Sequence, residues 1–100
     1  MIKVCSAREI ELVQKKLFDI DGLVIAVFYV EGKFYAMEDI CTHDGGPVIE
    51  GPLNGHEITC PRHGARFDVR TGKPLCMPAF VPIQTFPVEV KDGDIYIDLD

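Results

Sequence analysis

The stretches Cys41-Thr42-His43 and Cys60-Pro61-Arg62-His63, separated by sixteen residues, decide what this chain of 100 residues forms. Each stretch offers one thiol and one imidazole, so together they supply four side chains that bind soft or borderline metals. Gly45-Gly46-Pro47 follows the first stretch and Gly64 the second, which is typical of loops. We therefore predict one metal site built by two similar loops, with Cys41, His43, Cys60 and His63 as ligands.

The pattern Cys-x-His-x16-Cys-x-x-His resembles the cluster-binding signature of Rieske iron–sulfur proteins. In those proteins two cysteines hold one iron of a 2Fe–2S cluster and two histidines hold the other. The resemblance implies one such cluster per chain, with Cys41 and Cys60 on an inner iron and His43 and His63 on an outer iron near solvent. Neutral imidazoles make the cluster less negative than four thiolates would, so it is easier to reduce.

A zinc site is the alternative, because two cysteines and two histidines also suit zinc. Zinc motifs usually place like ligands together, whereas each loop here supplies one ligand of each kind. The spacing favours the cluster and leaves a zinc-stabilised interaction domain as the other hypothesis. A red-brown solution would indicate iron–sulfur, and a colourless one zinc.

The likeness extends over the whole chain and is strongest to the ferredoxins of bacterial multicomponent oxygenases. Its specific part is the two boxes at 41–47 and 60–67, and 78–82 resembles a third, proline-bearing loop beside the cluster. The resemblance implies an all-β protein, an antiparallel β-sandwich or barrel with a small cluster-binding subdomain. It also implies a one-electron carrier that takes electrons from an NAD(P)H-dependent flavin reductase and passes them to a terminal oxygenase.

Several positions depart from the respiratory branch of the family. That branch carries a disulfide between its two boxes, and Gly46 and Arg62 stand at the corresponding positions here. It also carries hydroxyl donors to the cluster where this chain has Ala65 and Phe67. Because fewer donors stabilise the reduced cluster, we expect a potential near the low end of the Rieske range, roughly −150 mV.

The resemblance leaves one further alternative, the Rieske-like small subunit of a nitrite reductase. Such subunits often lack intact ligands, and all four are present here. The oxygen chemistry of terminal oxygenases needs a second iron and a long additional chain. We therefore expect no enzyme activity and no small-molecule substrate for this chain, whose partners would be transiently bound proteins.

Outside the two loops, the sequence reads as strands joined by turns. A strand over 1–5 is followed by the spacing of a capping box at Ser6 to Glu9, which predicts a single helical turn. Apolar runs over 12–20, 23–30 and 33–37, divided by two-residue turn signals, predict an antiparallel meander. A closing hairpin is expected to bury one apolar face formed by Val88, Val90, Ile95, Ile97 and Leu99.

Residues 39–80 differ from the rest, because they contain all three histidines and five glycines between Gly45 and Gly64. Asn54-Gly55 predicts a tight turn before a short strand over 57–59. We predict a single domain over 1–100, with a cluster-binding subdomain at approximately 39–80. His56 follows the predicted turn and is expected to be exposed.

Composition bounds the remaining possibilities. The net charge of −6 argues against nucleic acid, although it suits either solubility or attraction to a basic patch on a partner. The longest apolar run, Leu23 to Val30, is too short to span a membrane, and no export signal begins the chain, so we expect a cytoplasmic protein. Cys5 and Cys76 are expected to be reduced and part-buried, with a disulfide between them less favoured.

Overall fold

A computed structural model describes residues 1–42, 44–77 and 79–99. The strands in this part of the chain form three antiparallel sheets, which we call sheet A (β1-β10-β9), sheet B (β2-β3-β4-β8) and sheet C (β5-β6-β7). The elements are β1 (Ile2–Ser6), α1 (Ala7–Val13), β2 (Lys15–Ile20), β3 (Leu23–Val30), β4 (Lys33–Glu38), β5 (Leu53–Asn54), β6 (Glu57–Thr59), β7 (Arg66–Asp68), β8 (Thr85–Phe86), β9 (Val88–Lys91) and β10 (Asp94–Ile97).

The all-β fold predicted from the sequence is confirmed, in its sandwich form. In each sheet of the described residues the strand order runs between two different end strands, so the structure is a stack of open sheets and not a closed barrel. The helix found there, α1, has seven residues, and no described helix is long and apolar enough to cross a membrane.

Two-residue turns join the strands of the meander, as their sequences predict. Asp21 and Gly22 between β2 and β3 have φ of 52° and 86°, and Glu31 and Gly32 between β3 and β4 have φ of 51° and 80°. Positive φ at both central residues matches the right-handed twist of the flanking strands. The turns therefore fix the register of β2-β3-β4, in which Phe28 lies opposite Tyr35.

Strand β3 is buried on both faces, which explains its continuous apolar sequence. Ile25 and Val27 face a first core between sheet B and sheet A, together with residues of α1 and β10. Ala26 and Phe28 point the other way, into a second core. Sheet B is therefore the middle layer of the molecule.

The second core joins sheet B to a layer of loops that contains sheet C. We call residues 39–83 the loop layer. Cys41 and Cys60 belong to this core, with Val48, Ile58, Phe67 and Ile83 among its other members. The loops that carry the predicted ligands are therefore seated on the central sheet.

Local details differ from the sequence predictions. The helix runs to Val13 rather than for one turn, so Leu12 and Val13 are helical, and β2 begins only at Lys15. Glu9 accepts a hydrogen bond from the Ser6 N–H, as the capping box predicts. Val90 lies half-exposed on the edge strand β9, although its partner Ile95 is buried. Strands β5 and β8, of two residues each, had no pattern long enough to predict them.

Candidate metal centre

The two predicted loops share a pair of matching backbone hydrogen bonds. In loop 1 (residues 41–46) the Cys41 N–H donates to the Gly46 carbonyl at 2.7 Å, and the Gly45 N–H donates to the Cys41 carbonyl at 2.7 Å. Loop 2 (residues 60–65) repeats this: the Cys60 N–H donates to the Ala65 carbonyl at 2.7 Å, and the Gly64 N–H donates to the Cys60 carbonyl at 3.1 Å. The fold thus presents the two cysteines in equivalent local settings.

Glycine is needed in both loops for its conformation. Gly45 has φ of 77° and Gly64 has φ of 75°, in the region that disfavours other residues. A Cβ at either position would meet no atom within 4 Å, so a close backbone contact in the folded chain is not the reason. Gly46 is different, because a Cβ there would lie 2.6 Å from Cζ of Arg62.

The thiols of the two loops come together in the interior. The Sγ atoms of Cys41 and Cys60 and a carboxylate oxygen of Asp44 all lie within 4.8 Å of one another. A metal–sulfur bond is about 2.3 Å long, so two sulfurs on one metal ion are at most about 4.6 Å apart. Both cysteines are fully buried, which suits an inner metal position shielded from water.

The histidines were predicted on the solvent side of the centre. The His63 side chain is 58% exposed, and its Nδ1 lies 3.6 Å from Oδ2 of Asp44. His43 lies outside the described residues. Cys41 and Cys60 therefore lie deeper in the protein than His63, as the sequence predicts. The role of these residues as metal ligands stays a prediction.

Asp44 joins the two loops, a contact that the spacing did not reveal. Its carboxylate accepts two hydrogen bonds from Arg62, from Nε at 2.6 Å and from the terminal nitrogen at 3.0 Å. The Gly46 N–H donates a third at 2.9 Å. The Arg62 guanidinium beside Asp44, helped by that N–H, holds the pKa of the carboxyl well below its ordinary range, and the pKa of Arg62 rises in turn.

The segment after loop 1 is fastened to the rest of the fold by two charged side chains. Oδ1 of Asp39 accepts hydrogen bonds from the N–H groups of Val48 and Ile49, both at 2.8 Å. Nζ of Lys15, on β2, donates to the carbonyls of Ile49 at 2.7 Å and Gly51 at 2.6 Å. These bonds satisfy backbone groups that the loop could not pair by itself.

A third segment packs against both loops. We call residues 74–82 loop 3, of which Pro78 lies outside the described residues. The Thr42 hydroxyl donates to the Val81 carbonyl at 2.5 Å, and the Cys76 thiol donates to the Gly64 carbonyl at 3.5 Å. Loop 3 is therefore bonded to both of the other loops.

The remaining cysteines and the third histidine have separate roles. Cys5 and Cys76 carry free thiols, so no disulfide joins them. Cys5 is buried in the first core, as predicted, and burial raises the pKa of its thiol. Cys76 is not a simple apolar residue, because Arg66 donates a hydrogen bond to its sulfur at 3.4 Å, which lowers its pKa.

The prediction of an exposed His56 is wrong. Its side chain is largely buried, with Nε2 3.5 Å from a Glu31 carboxylate oxygen and its ring edge-on to Tyr35. A tight turn does form before β6, but its two central residues are Gly55 and His56, one position later than predicted, because Asn54 ends β5 and pairs with Glu57. His56 in this turn lies against Glu31 of the β3-β4 turn. Only the tertiary packing of the loop layer on sheet B determines that contact.

The residues of this centre fit a 2Fe–2S cluster. Two buried thiols lie within reach of one iron, and an exposed imidazole stands beside them at the surface. A model of the Rieske [2Fe-2S] domain matches residues 1–87. The chain belongs to the Rieske [2Fe-2S] family. When bound, a Rieske cluster supplies a reversible one-electron couple.

Known ferredoxins resemble the chain over most of its length. The 3-phenylpropionate/cinnamic acid dioxygenase ferredoxin subunit of Photorhabdus laumondii subsp. laumondii is 49% identical over 74 residues, which cover 73% of this chain and 70% of the relative. Ferredoxin CarAc of Metapseudomonas resinovorans is 40% identical over 97 residues, covering 96% of this chain and 91% of the relative.

A solved structure shares the Rieske fold closely. It is a chain in the complex of reduced oxygenase and oxidized ferredoxin in carbazole 1,9a-dioxygenase, with a TM-score of 0.89 and 41% identity over 96% of this chain and 90% of that one. These relatives confirm the sequence-based prediction of an electron-carrying ferredoxin of an oxygenase system, rather than an enzyme, and favour it over the zinc and nitrite reductase alternatives.

Proposed function

We propose that Cys41, His43, Cys60 and His63 hold one Rieske cluster, with the cysteines on the inner iron and the histidines on the outer iron. The observation that carries this proposal is the pair of buried thiols that two matching loops bring within 4.8 Å. The role of His43 rests on its spacing and on the family pattern. Residues 1–100 would then form one Rieske domain, whose cluster-binding subdomain is approximately 39–80.

The ferredoxin would accept one electron from an NAD(P)H-dependent flavin reductase and deliver it to a terminal oxygenase. The names of the relatives support an oxygenase system, and one similar structure is itself a ferredoxin–oxygenase complex. We place this exchange in the cytoplasm, where NAD(P)H and reduced thiols are both available. The exposed His63 edge is the side from which the electron would leave.

The partner would dock on the apolar side chains of loop 3. Met77, Phe80 and Val81 are exposed there, and the bonds from Thr42 and Cys76 keep this segment against both cluster loops. Apolar side chains exposed together beside a functional group are typical of a protein interface. A partner seated on them would approach the predicted outer iron.

Charge near this surface is largely neutralised within the chain. Residues 39–80 carry five acidic and four basic side chains, whereas the rest of the sequence carries eleven acidic and six basic ones. Three of the four basic side chains are paired, in Asp44–Arg62, Glu57–Arg66 and Asp68–Arg70. We therefore infer that apolar contact contributes more to docking than attraction between charges.

The ligand assignment is tested by substitutions that have matched controls in the same chain. His63→Ala and Cys60→Ser should lose the visible absorption and the acid-labile sulfide, because each removes one of the four proposed ligands. His56→Ala and Cys76→Ser change the remaining histidine and a thiol outside the site, and should retain both. NADH and a flavin reductase should reduce the two control variants but not the two ligand variants.

Three results would contradict the proposal. The unchanged protein could contain zinc and no sulfide, which would revive the interaction domain. The His63→Ala variant could keep its full absorption, which would remove His63 from the ligand set. The intact cluster could fail to pass electrons to any terminal oxygenase, which would reject the partner and keep the cofactor.

A further inference from the structure

We propose that Asp44 and Arg62 are positioning residues, which hold the two cluster loops together through an ion pair. This inference rests on the proposed ligand site but makes its own claim. The backbone bonds described above close each loop on itself, whereas the pair crosses from loop 1 to loop 2. Both hydrogen bonds run between the guanidinium edge and the two carboxylate oxygens, an arrangement that fixes direction as well as distance.

The surroundings of the pair are shaped for it. The Gly46 N–H donates a hydrogen bond to Oδ1 of Asp44, and the absence of a side chain at Gly46 leaves the space that the Arg62 guanidinium fills. A methyl group at Gly46 would lie less than 3 Å from three atoms of Arg62. Gly46 therefore contributes both a hydrogen-bond donor and room for its partner.

The location of the pair links it to the thiols. Asp44 follows Cys41 by three residues, Arg62 follows Cys60 by two, and the Asp44 carboxylate lies within 4.8 Å of both sulfurs. Both residues are exposed, although the Asp44 side chain itself is only 19% accessible, so the two-point geometry rather than exclusion of water distinguishes this pair. Movement of one loop away from the other would break both hydrogen bonds.

Because the pair is neutral as a whole, its positioning role can be separated from its charges. Arg62→Gln leaves an unpaired carboxylate near the cluster and should lower the midpoint potential, whereas Asp44→Asn should raise it. The double variant removes both charges, so its potential should return towards that of the unchanged protein. Its cluster should still be lost faster, because the two hydrogen bonds between Asp44 and Arg62 no longer join the loops.

The experiment follows the decay of visible absorption at a fixed temperature and measures the potential of the same holoprotein samples. We expect each single variant and the double variant to lose the cluster about tenfold faster than the unchanged protein. In the double-mutant cycle, the second substitution should then add little to the first. Arg62→Lys, which keeps the charge without the two-point geometry, should be intermediate.

Arg70→Gln is the matched control. Arg70 pairs with Asp68 by the same two-point geometry, at 3.0 and 2.9 Å, but the two residues are only two positions apart and do not join the cluster loops. Its rate of cluster loss should match that of the unchanged protein.

The outcomes separate this inference from the proposed function. Equal rates of cluster loss in the unchanged protein and the Arg62 variants, or additive effects in the cycle, would overturn the positioning role while the cluster remains. If the single variants do not accumulate as holoprotein, the rate for Arg62→Lys decides, because a rate equal to the unchanged protein would reject the proposal. An unchanged protein without iron and sulfide would instead overturn the ligand site itself.

Discussion

At the residue scale, glycines act in this fold by two separate physical effects. Gly22 has φ of 86° and open space around it, so only its conformation matters. Gly51 has no positive φ, but a Cβ there would lie 1.6 Å from the Thr59 carbonyl oxygen. Gly72 combines both, with φ of 77° and a Cβ position 1.8 Å from the Ile83 carbonyl oxygen.

Alanine substitutions should separate these effects. Gly22→Ala should cost about 1 kcal/mol of unfolding free energy, because only the left-handed backbone is disfavoured. Gly51→Ala should cost more, roughly 3 kcal/mol, since backbone atoms cannot move aside cheaply. Gly72→Ala should be the most damaging of the three. Chemical denaturation of the three variants checks this order, and a Gly51→Ala protein as stable as Gly22→Ala would contradict the packing argument.

At the scale of elements, loop 3 combines a buried anchor with exposed apolar side chains. Ala79 and Ile83 are buried in the second core, and Leu75 donates its N–H to the Arg66 carbonyl at 2.8 Å. Phe80 stays 72% exposed between these attachments. A segment held at both ends presents its apolar side chains at little further cost in entropy, which suits docking.

Phe80→Ala should therefore weaken binding to the terminal oxygenase roughly tenfold, as expected for a large side chain at the centre of an interface. Leu12→Ala is the control, because Leu12 is 79% exposed but lies on α1, which packs with sheets A and B. Its affinity should change less than twofold. Surface plasmon resonance at low and high salt measures both, and equal losses for the two variants would exclude loop 3 as the docking site.

At the scale of the whole molecule, the sheet A side and the loop layer should lose stability at opposite ends of the pH range. Cys5 lies in the first core, where burial raises the pKa of its thiol above 9.0. The contribution of the buried neutral thiol to folding stability is therefore present below pH 9 and is lost at higher pH. Asp68 lies in the loop layer, where Arg70 lowers the carboxyl pKa below 3.8. The contribution of the ionised Asp68 to folding stability is therefore present above about pH 3.8 and is lost as the pH falls below it.

Two variants should each reduce the pH dependence of the thermal midpoint at one end of the pH range. Cys5→Ala should reduce the fall in thermal midpoint above pH 9, and Asp68→Asn should reduce the fall below about pH 4. Each variant is the control for the other, because neither should alter the opposite limb. Thermal unfolding followed by circular dichroism from pH 2.5 to 10.5 makes the comparison, and an unchanged alkaline limb in Cys5→Ala would reject the burial argument.

The sequence by itself determined the strands with long patterns, their turns and the two cysteine–histidine loops. Leu23–Val30 was predicted with its observed bounds, since a run of eight apolar and β-branched residues between two turns has few other structures open to it. The repeated Cys and His pattern with its flanking Gly and Pro residues likewise predicted paired loops, and the structure adds that Gly45 and Gly64 have positive φ there. These features depend on residues close together in the chain.

Tertiary structure alone decided what depends on distant residues. The Asp44–Arg62 pair, the Thr42–Val81 bond and the contact of His56 with Glu31 join positions 18, 39 and 25 residues apart, and no local pattern encodes such distances. Short strands such as β8 exist because β4 offers them a free edge. A contact of this kind forms only after sheet B has brought its partners together, so its physical cause lies in the packed layers rather than in the order of residues.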